Sequence, residues 1–193
     1  MKKVLRAAAF ILMLALIIGR PAMQLLQAEA KDEIRIDMKV GFDKFYKIGF
    51  AAPVYFEIEN SLRDINGELQ VEMPNQYGSI TIYAINVNLP RNSVKKFLMN
   101  VPMNVFNTKI NVNLAEGDNI ISKKSFRIDP GLSADTYAIG ILSDDFDSVK
   151  YINKVSMKSF GNISTKNVKL DEDSFPEDMD VLKAFNVIVI NNY

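Results

Sequence analysis

Three carboxylates in the C-terminal half are the side chains best suited to hold a metal ion. Asp144, Asp145 and Asp147 lie within four residues, and Ca²⁺ and Mg²⁺ prefer oxygen ligands of this kind. A structural role competes with this one, because Ser143 and Asp144 are good helix N-cap residues and acids in a first turn complement the helix dipole. We favour helix capping and keep a weak metal site as the alternative.

A denser acidic run follows nearer the C-terminus. It consists of Asp171, Glu172, Asp173, Glu177, Asp178 and Asp180. General acid/base catalysis needs two carboxylates whose environments separate their pKa values, and nothing in this run separates them. Pro176 is typical of a first helical position. We therefore interpret the run as solvated residues around the start of a helix.

Aromatic side chains crowd one segment of the N-terminal half. They are Phe42, Phe45, Tyr46, Phe50, Tyr55 and Phe56. Exposed rings could stack on sugars or contact a partner, so Tyr46, Phe50 and Tyr55 form a candidate ligand or partner surface. Buried rings would instead be core and a loop plug. We favour core packing and leave the surface role open.

The residue types on which most catalytic sites depend are missing. The 193 residues include no cysteine and no histidine, which excludes thiolate nucleophiles, Ser-His-Asp relays, structural zinc sites and imidazole-ligated haem. We therefore expect a non-enzymatic protein with no cofactor. From Lys31 onward, 22 acidic side chains outnumber 19 basic ones, so a nucleic-acid partner is not expected.

The N-terminus has the three parts of a secretory signal. A basic stretch, Met1 to Arg6, precedes an apolar run from Ala7 to Gly19, and Ala28 and Ala30 form a small-x-small cleavage signature before Lys31. The apolar run would span ~20 Å as a helix, less than the ~30 Å hydrocarbon core of a bilayer. We expect a cleaved signal peptide that forms a helix, with an uncleaved anchor as the alternative.

Apolar and polar residues alternate with period two over the next hundred positions. The predicted strands are Ile34–Val40, Val54–Glu59, Glu68–Met73, Ile80–Ala84, Lys95–Val101, Lys109–Leu114 and Ile120–Ile128. Seven short strands with turn signals between them predict a mainly β fold, an immunoglobulin-like antiparallel β-sandwich over residues 31–130.

The pattern changes after Pro130. The predicted order is a buried strand at Tyr137–Leu142, a helical spacing of Phe146, Val149 and Ile152, a strand at Val168–Leu170, a helix from Pro176 and a buried strand at Phe185–Ile190. Buried strands separated by helices predict a parallel sheet covered on both faces. Such a β-α-β-α-β segment is incomplete as a domain, so we expect residues 131–193 to be the truncated start of a Rossmann-like α/β domain. The alternative is that this segment docks on the sandwich.

Short motifs in both halves carry a resemblance. They are Val40–Phe42, Tyr46–Phe50, Pro53–Val54, Gly67–Leu69, Ile139–Asp144 and Leu182–Asn191. They resemble the beginning of large membrane-anchored envelope proteins of Gram-positive bacteria. In that family a signal peptide and a β-sandwich precede a Rossmann-like domain similar to class I glutamine amidotransferases. The resemblance implies membrane association through the N-terminal segment or a missing C-terminal region, and it transfers no catalytic residue.

Together these features predict an exported, non-enzymatic protein of the cell envelope, either secreted or at the extracellular face of the membrane. Its β-sandwich would be an interaction or spacer module with a protein partner. The alternative is a carbohydrate-binding module of a larger envelope enzyme, which would bind cell-wall glycan through the aromatic segment from Phe42 to Tyr55.

Overall fold

The computed structural model describes residues 33–75, 77–104, 109–154, 164–172 and 175–191. All of them belong to the second of two compact units of the chain, Glu33–Tyr193. The predicted cleavage residues Ala28, Ala30 and Lys31 lie outside the described residues, as does the rest of the signal segment. Within the described ranges, every helix is too short or too polar to cross a bilayer.

Ten strands and three short helical segments make up the described chain. The strands are β1 (Ile34–Val40), β2 (Ala51–Asn60), β3 (Ile65–Pro74), β4 (Ile80–Leu89), β5 (Ser93–Pro102), β6 (Lys109–Glu116), β7 (Asn119–Arg127), β8 (Tyr137–Ser143), β9 (Thr165–Leu170) and β10 (Val187–Asn191). The helical segments are α1 (Phe146–Val149), a 3₁₀ helix (Lys150–Lys154) and α2 (Met179–Leu182). The predicted mainly β fold is confirmed.

The first seven strands form two antiparallel sheets. One sheet has the order β1-β2-β5 and the other has the order β4-β3-β6-β7. Each strand alternates because one face meets the opposite sheet and the other meets water. In β1, for example, Ile34, Ile36 and Val40 are buried while Arg35 and Asp37 are exposed.

The inward side chains of both sheets form one continuous core. Its fully buried members include Val54, Phe56 and Ile58 from β2 and Val112 and Leu114 from β6. The pairing of β2 with β5 sets Phe56 opposite Phe97. Cross-strand pairs of this kind stabilise the sheet from which they project.

Asn60 is a polar residue at the end of β2 with no exposed surface. Its Nδ2 donates to the carbonyl oxygens of Arg63 (2.5 Å), Leu89 (2.9 Å) and Pro90 (3.1 Å). Its Oδ1 accepts from the Leu62 amide at 3.0 Å. One side chain thereby satisfies buried backbone groups from the β2–β3 and β4–β5 connections.

The last three strands form a parallel sheet of order β10-β8-β9. Central strand β8 is buried after Tyr137, as its unbroken apolar sequence predicts. Edge strand β10 differs, because Val187 and Ile190 are 40 % and 63 % exposed. The expectation of cover on both faces is wrong for β10, because the two α-helices among the described residues have only four residues each and leave part of this edge strand in water.

Both helix starts lie slightly later than the sequence predicts. Asp145, not Ser143 or Asp144, is the N-cap of α1, and its Oδ1 accepts from the Ser148 amide at 3.1 Å. Asp178 is the N-cap of α2 and accepts from the Asp180 amide at 2.8 Å. A carboxylate that can reach back to the backbone fixes the start of each helix.

Candidate binding groove

The connection between β1 and β2, residues 41–50, is here called the aromatic loop. It contains a tight turn in which Phe42 and Phe45 exchange backbone hydrogen bonds of 2.8 and 2.7 Å. The two central residues, Asp43 and Lys44, have φ values of 44° and 69°. Such left-handed backbone usually requires glycine or asparagine. The turn presents two charged side chains at an exposed tip.

The first residue of the aromatic loop must be glycine. Gly41 has φ of 75°, and a Cβ placed there would lie 2.0 Å from the Phe45 carbonyl oxygen. Its amide donates to the Pro53 carbonyl at 2.7 Å. The chain therefore turns sharply at the end of β1 and directs the following rings inward.

Two of the four rings of the aromatic loop, those of Phe42 and Tyr46, are buried, and the other two are half-buried. Phe42 is 6 % exposed and packs edge-on against Phe185 with 4.9 Å between ring centroids. Tyr46 is 4 % exposed and lies against Gly131, where a Cβ would come within 2.4 Å of the ring. Burial raises the pKa of the Tyr46 phenol, against the effect of its hydrogen bond with the Gly131 backbone, and the nearby Asp129 raises it further.

The predicted surface role is therefore corrected for Tyr46, whose ring is not available for stacking. Phe50 and Tyr55 are half-buried, and each has different neighbours. The Phe50 ring faces the Lys47 ammonium at 5.1 Å. Tyr55 lies in the middle strand of its sheet, opposite Lys39 and Leu98. The three residues do not form one platform.

The aromatic loop also ties the sandwich to the parallel sheet. The Ile48 amide donates to the Leu132 carbonyl at 3.0 Å, and the Leu132 amide donates to the Tyr46 carbonyl at 2.8 Å. Lys47, only 5 % exposed, donates to Asn186 Oδ1 at 3.1 Å. Burial lowers the pKa of the Lys47 ammonium, and the charge of Asp135 partly opposes this.

A groove of about 1060 Å³ opens between β1, the aromatic loop, the end of β7 and the end of β9. We call it the mixed-charge groove. Met38, Phe97 and Phe126 line it with half-buried apolar side chains that continue into the sandwich core. Strands β1 and β7 are both sheet edges, so backbone groups are also available there. Tyr46 and Tyr55 contribute to the lining, whereas Phe50 does not.

The rim of the mixed-charge groove carries five acidic and five basic residues. Three of its carboxylates already face cations, in the pairs Asp37–Arg35 (3.0 Å), Glu57–Lys96 (3.8 Å) and Asp171–Lys169 (3.3 Å). Lys39, Lys44 and Arg127 are exposed and have no carboxylate within 4 Å in the described parts of the chain. These three cations are available to a partner.

Of the predicted metal residues Asp144, Asp145 and Asp147, the last two have structural contacts instead. Asp145 caps α1, and Asp147 accepts from Lys150 Nζ at 2.9 Å. Among the residues that the structure describes, no cluster of acidic side chains is arranged to hold a metal ion.

Sequence reasoning missed the groove residues of β7 and most of those on β1. The alternating pattern predicts only that Phe126 faces inward and Arg127 faces outward on their strand. Alternation assigns a face to a residue, but it does not reveal that β1 and β7 are the edges lining one groove. That information comes from the order of strands in each sheet and from the packing of the two sheets.

Comparison with protein families gives one match. A family described as a domain of unknown function, DUF8726, matches residues 33–129. The chain belongs to the DUF8726 family. The DUF8726 region contains all seven strands of the sandwich and the aromatic loop.

No curated protein matches the chain. Among solved structures, it is similar to the Pseudomonas fluorescens alkylpurine DNA glycosylase AlkC bound to DNA containing an abasic site analog. The identity is 10 % and the TM-score 0.33, with 49 % of this chain covered. The match spans about 30 % of the length of that structure. Likeness at this level supports no inference about the DUF8726 protein.

Proposed function

We propose that this DUF8726 protein is an exported, non-enzymatic protein of the cell envelope whose β-sandwich is an interaction module. The mixed-charge groove carries the proposal. It combines an apolar floor of Met38, Phe97 and Phe126 with a charged rim, and a large groove with both features is the usual form of a binding site.

The chemistry of the rim favours a protein partner. Lys39, Lys44 and Arg127 offer cations that the described residues leave unpaired, so acidic side chains of a partner would meet them. The open edges of β1 and β7 offer backbone hydrogen bonds that an extended peptide can use.

A spacer role is compatible with the same proposal. The aromatic loop joins the sandwich to the parallel sheet through backbone hydrogen bonds, the Lys47–Asn186 contact and the Phe42–Phe185 ring pair. Such a connection would hold the mixed-charge groove at a fixed orientation relative to the parallel sheet.

Export is proposed from the N-terminal sequence. The basic stretch, apolar run and small-x-small signature before Lys31 are those of a secretory signal. Material exported by cells of the source organism should have Lys31 as its first residue in N-terminal sequencing. An Ala30→Arg variant should retain the signal. Protein found only inside the cell would contradict the export proposal.

The interaction proposal is tested with a photo-reactive amino acid placed at single positions in the full chain. At Lys44, on the rim of the groove, irradiation of intact cells should give a discrete cross-linked protein product. The matched position is Asn104, which is exposed and does not line the groove, and it should give none. Arg127→Glu should reduce the yield at position 44. Equal products from both positions, or none from position 44, would contradict the proposal.

A further inference from the structure

A second concave surface lies on the four-stranded sheet of the sandwich and shares no lining residue with the mixed-charge groove. It is a shallow groove of about 860 Å³ on the outer face of β3 and β4, closed at one end by the β6–β7 turn. We call it the amide groove. Its lining residues are Asn66, Gly67, Glu68, Gln70, Asn86, Val87, Asn88, Gly117 and Asp118.

The side chains of the amide groove form two facing rows. The antiparallel register sets Asn66 opposite Asn88 and Glu68 opposite Asn86. Directly opposite residues in such a pair have Cβ atoms about 5 Å apart, and successive residues on one face are about 7 Å apart. The four polar side chains therefore form a regular lattice of hydrogen-bonding groups on one sheet face.

Internal hydrogen bonds use only part of this capacity. Asn88 Nδ2 donates to Asn66 Oδ1, and Gln70 Nε2 donates to Glu68 Oε2 at 3.0 Å. Each amide has two donor hydrogens and an acceptor oxygen. The side-chain N–H groups of Asn66 and the side-chain carbonyl oxygens of Asn88 and Gln70 are not used in these two hydrogen bonds. The side-chain amide of Asn86 has no hydrogen bond to any described residue.

One end of the amide groove is held firmly. Arg63 forms a two-pronged contact with Glu116, with nitrogen–oxygen distances of 2.7 and 3.3 Å. Glu116 Oε1 also accepts a hydrogen bond from the backbone N–H of Asn66 at 3.3 Å. This contact fixes the β6–β7 turn against the start of β3 and keeps the groove in shape before any ligand arrives.

Charge narrows the class of ligand. Two carboxylates, Glu68 and Asp118, and no basic residue are found among the nine lining residues. A phosphate, a sulfate or an acidic peptide would be repelled. The unused donors and acceptors of the amide groove lie side by side. A hydroxyl group both donates and accepts a hydrogen bond, so a ligand with a row of hydroxyl groups matches this pattern better than a ligand with only donors or only acceptors.

An apolar contact is available beside these groups. Ile120 is 54 % exposed and is paired with Ala115, which is itself paired with Glu68 on β3. Sugars have both hydroxyl edges and apolar C–H faces. The combination of an amide lattice with a neighbouring aliphatic side chain suits such a ligand.

We infer that the amide groove is a binding site for a neutral polyhydroxylated chain, that is, an oligosaccharide without acidic groups. The inference does not depend on the proposed protein partner, because the two grooves have no lining residue in common.

Calorimetric titration of the full chain with three hexasaccharides tests the inference. Cellohexaose and chitohexaose are the neutral probes and represent a plain glucan and an N-acetylated one. Hexagalacturonate is the acidic probe. We expect saturable binding of at least one neutral probe, and at least about tenfold weaker binding of the acidic one. Absence of saturable binding with both neutral probes, or tighter binding of hexagalacturonate, would overturn the inference.

Variants locate the binding. Asn86→Ala removes an exposed amide that supports no described residue, so folding should be unaffected and affinity should fall about three- to tenfold. Asn86→Ala combined with Asn88→Ala should weaken binding further. Asn104→Ala is the matched control and should bind as the unaltered chain does. An affinity that is unchanged in Asn86→Ala and in the double variant would place the sugar elsewhere and refute the assignment of this groove.

Discussion

Removal of the Phe42 ring should weaken the connection between the sandwich and the parallel sheet. Phe42 is 6 % exposed and packs among Leu142, Leu170 and Val181, with its ring 4.9 Å from that of Phe185. Truncation of a buried phenylalanine to alanine costs about 3–5 kcal/mol, of which an aromatic pair contributes about 0.5–1.5 kcal/mol. For Phe42→Ala we expect a loss of about 3–4 kcal/mol in the free energy of unfolding.

Urea denaturation followed by circular dichroism measures this loss. Phe50→Ala is the matched control, because Phe50 belongs to the same loop but is half-buried. Its ring faces the Lys47 ammonium, and such a contact is worth about 0.5–2 kcal/mol. The control should therefore lose clearly less stability than Phe42→Ala.

Hydrogen exchange shows where the loss falls. Since Phe42 belongs to the same buried cluster as Leu142 of β8, the amides of Ile141 and Leu142 should exchange faster in Phe42→Ala. The amide of Val112 in the sandwich core should change less. A loss below about 1 kcal/mol, or equal acceleration at Val112 and Leu142, would refute the view that the aromatic loop is the structural link.

Two further predictions concern polar groups. Asn60→Ala should lower the free energy of unfolding by about 2–4 kcal/mol, because it leaves the buried Leu89 carbonyl and the Leu62 amide without partners. Asn60→Asp, which cannot donate, should not restore it, and a loss below about 1 kcal/mol in urea denaturation would contradict the prediction. Hydrogen bonds from Asn113 (2.7 Å), Asn111 and Lys123, together with the positive charge of Lys123, lower the pKa of Glu72. Its charge therefore stabilises the fold above pH 4.5 and ceases to do so as pH falls through the folded pKa. The stability difference between the unaltered chain and Glu72→Gln should shrink between pH 6 and pH 3, and a constant difference would contradict this.

Periodicity was sufficient to locate the strands. Each predicted strand is present, and most are longer than predicted, because pairing continues past the last alternating residue. In β2 the ladder begins at Ala51 and in β4 it continues to Leu89. The hydrogen bonds of a partner strand extend a ladder over residues such as Asn86 and Asn88 that have little preference for strands of their own.

The burial of the aromatic loop could not be obtained from local sequence. Tyr46 is covered because Gly131, far away in the chain, comes within contact of its ring, and Phe42 is covered by Phe185. An aromatic residue in a connection is equally compatible with an exposed and a buried position until its distant neighbours are known. Lys39 and Arg127 were overlooked for the same reason, because the packing of the two sheets brings their edges, β1 and β7, together.

The exact starts of the helices were also beyond the sequence pattern. Several acids precede each helix, and any of them is a suitable cap. Backbone geometry selects Asp145 and Asp178, whose side chains reach the amides of Ser148 and Asp180. Pro176, expected at the first helical position, is a buried residue that precedes the helix, which begins at Met179.

The strand order β1-β2-β5 has a consequence for how the chain reaches this structure. Strand β2 ends at Asn60 opposite Ser93, the first residue of β5, and the entire β3–β4 hairpin lies between them. Pairing of β2 with β5 must close that intervening chain, whereas β3 and β4 pair across a short turn. We expect the hairpin to form first and the long-range β2–β5 and β3–β6 ladders to set the folding rate, on the millisecond-to-second scale of sandwiches. Until then, the inner faces of β2 and β5 remain in water, and this interval is when the chain is most exposed to aggregation.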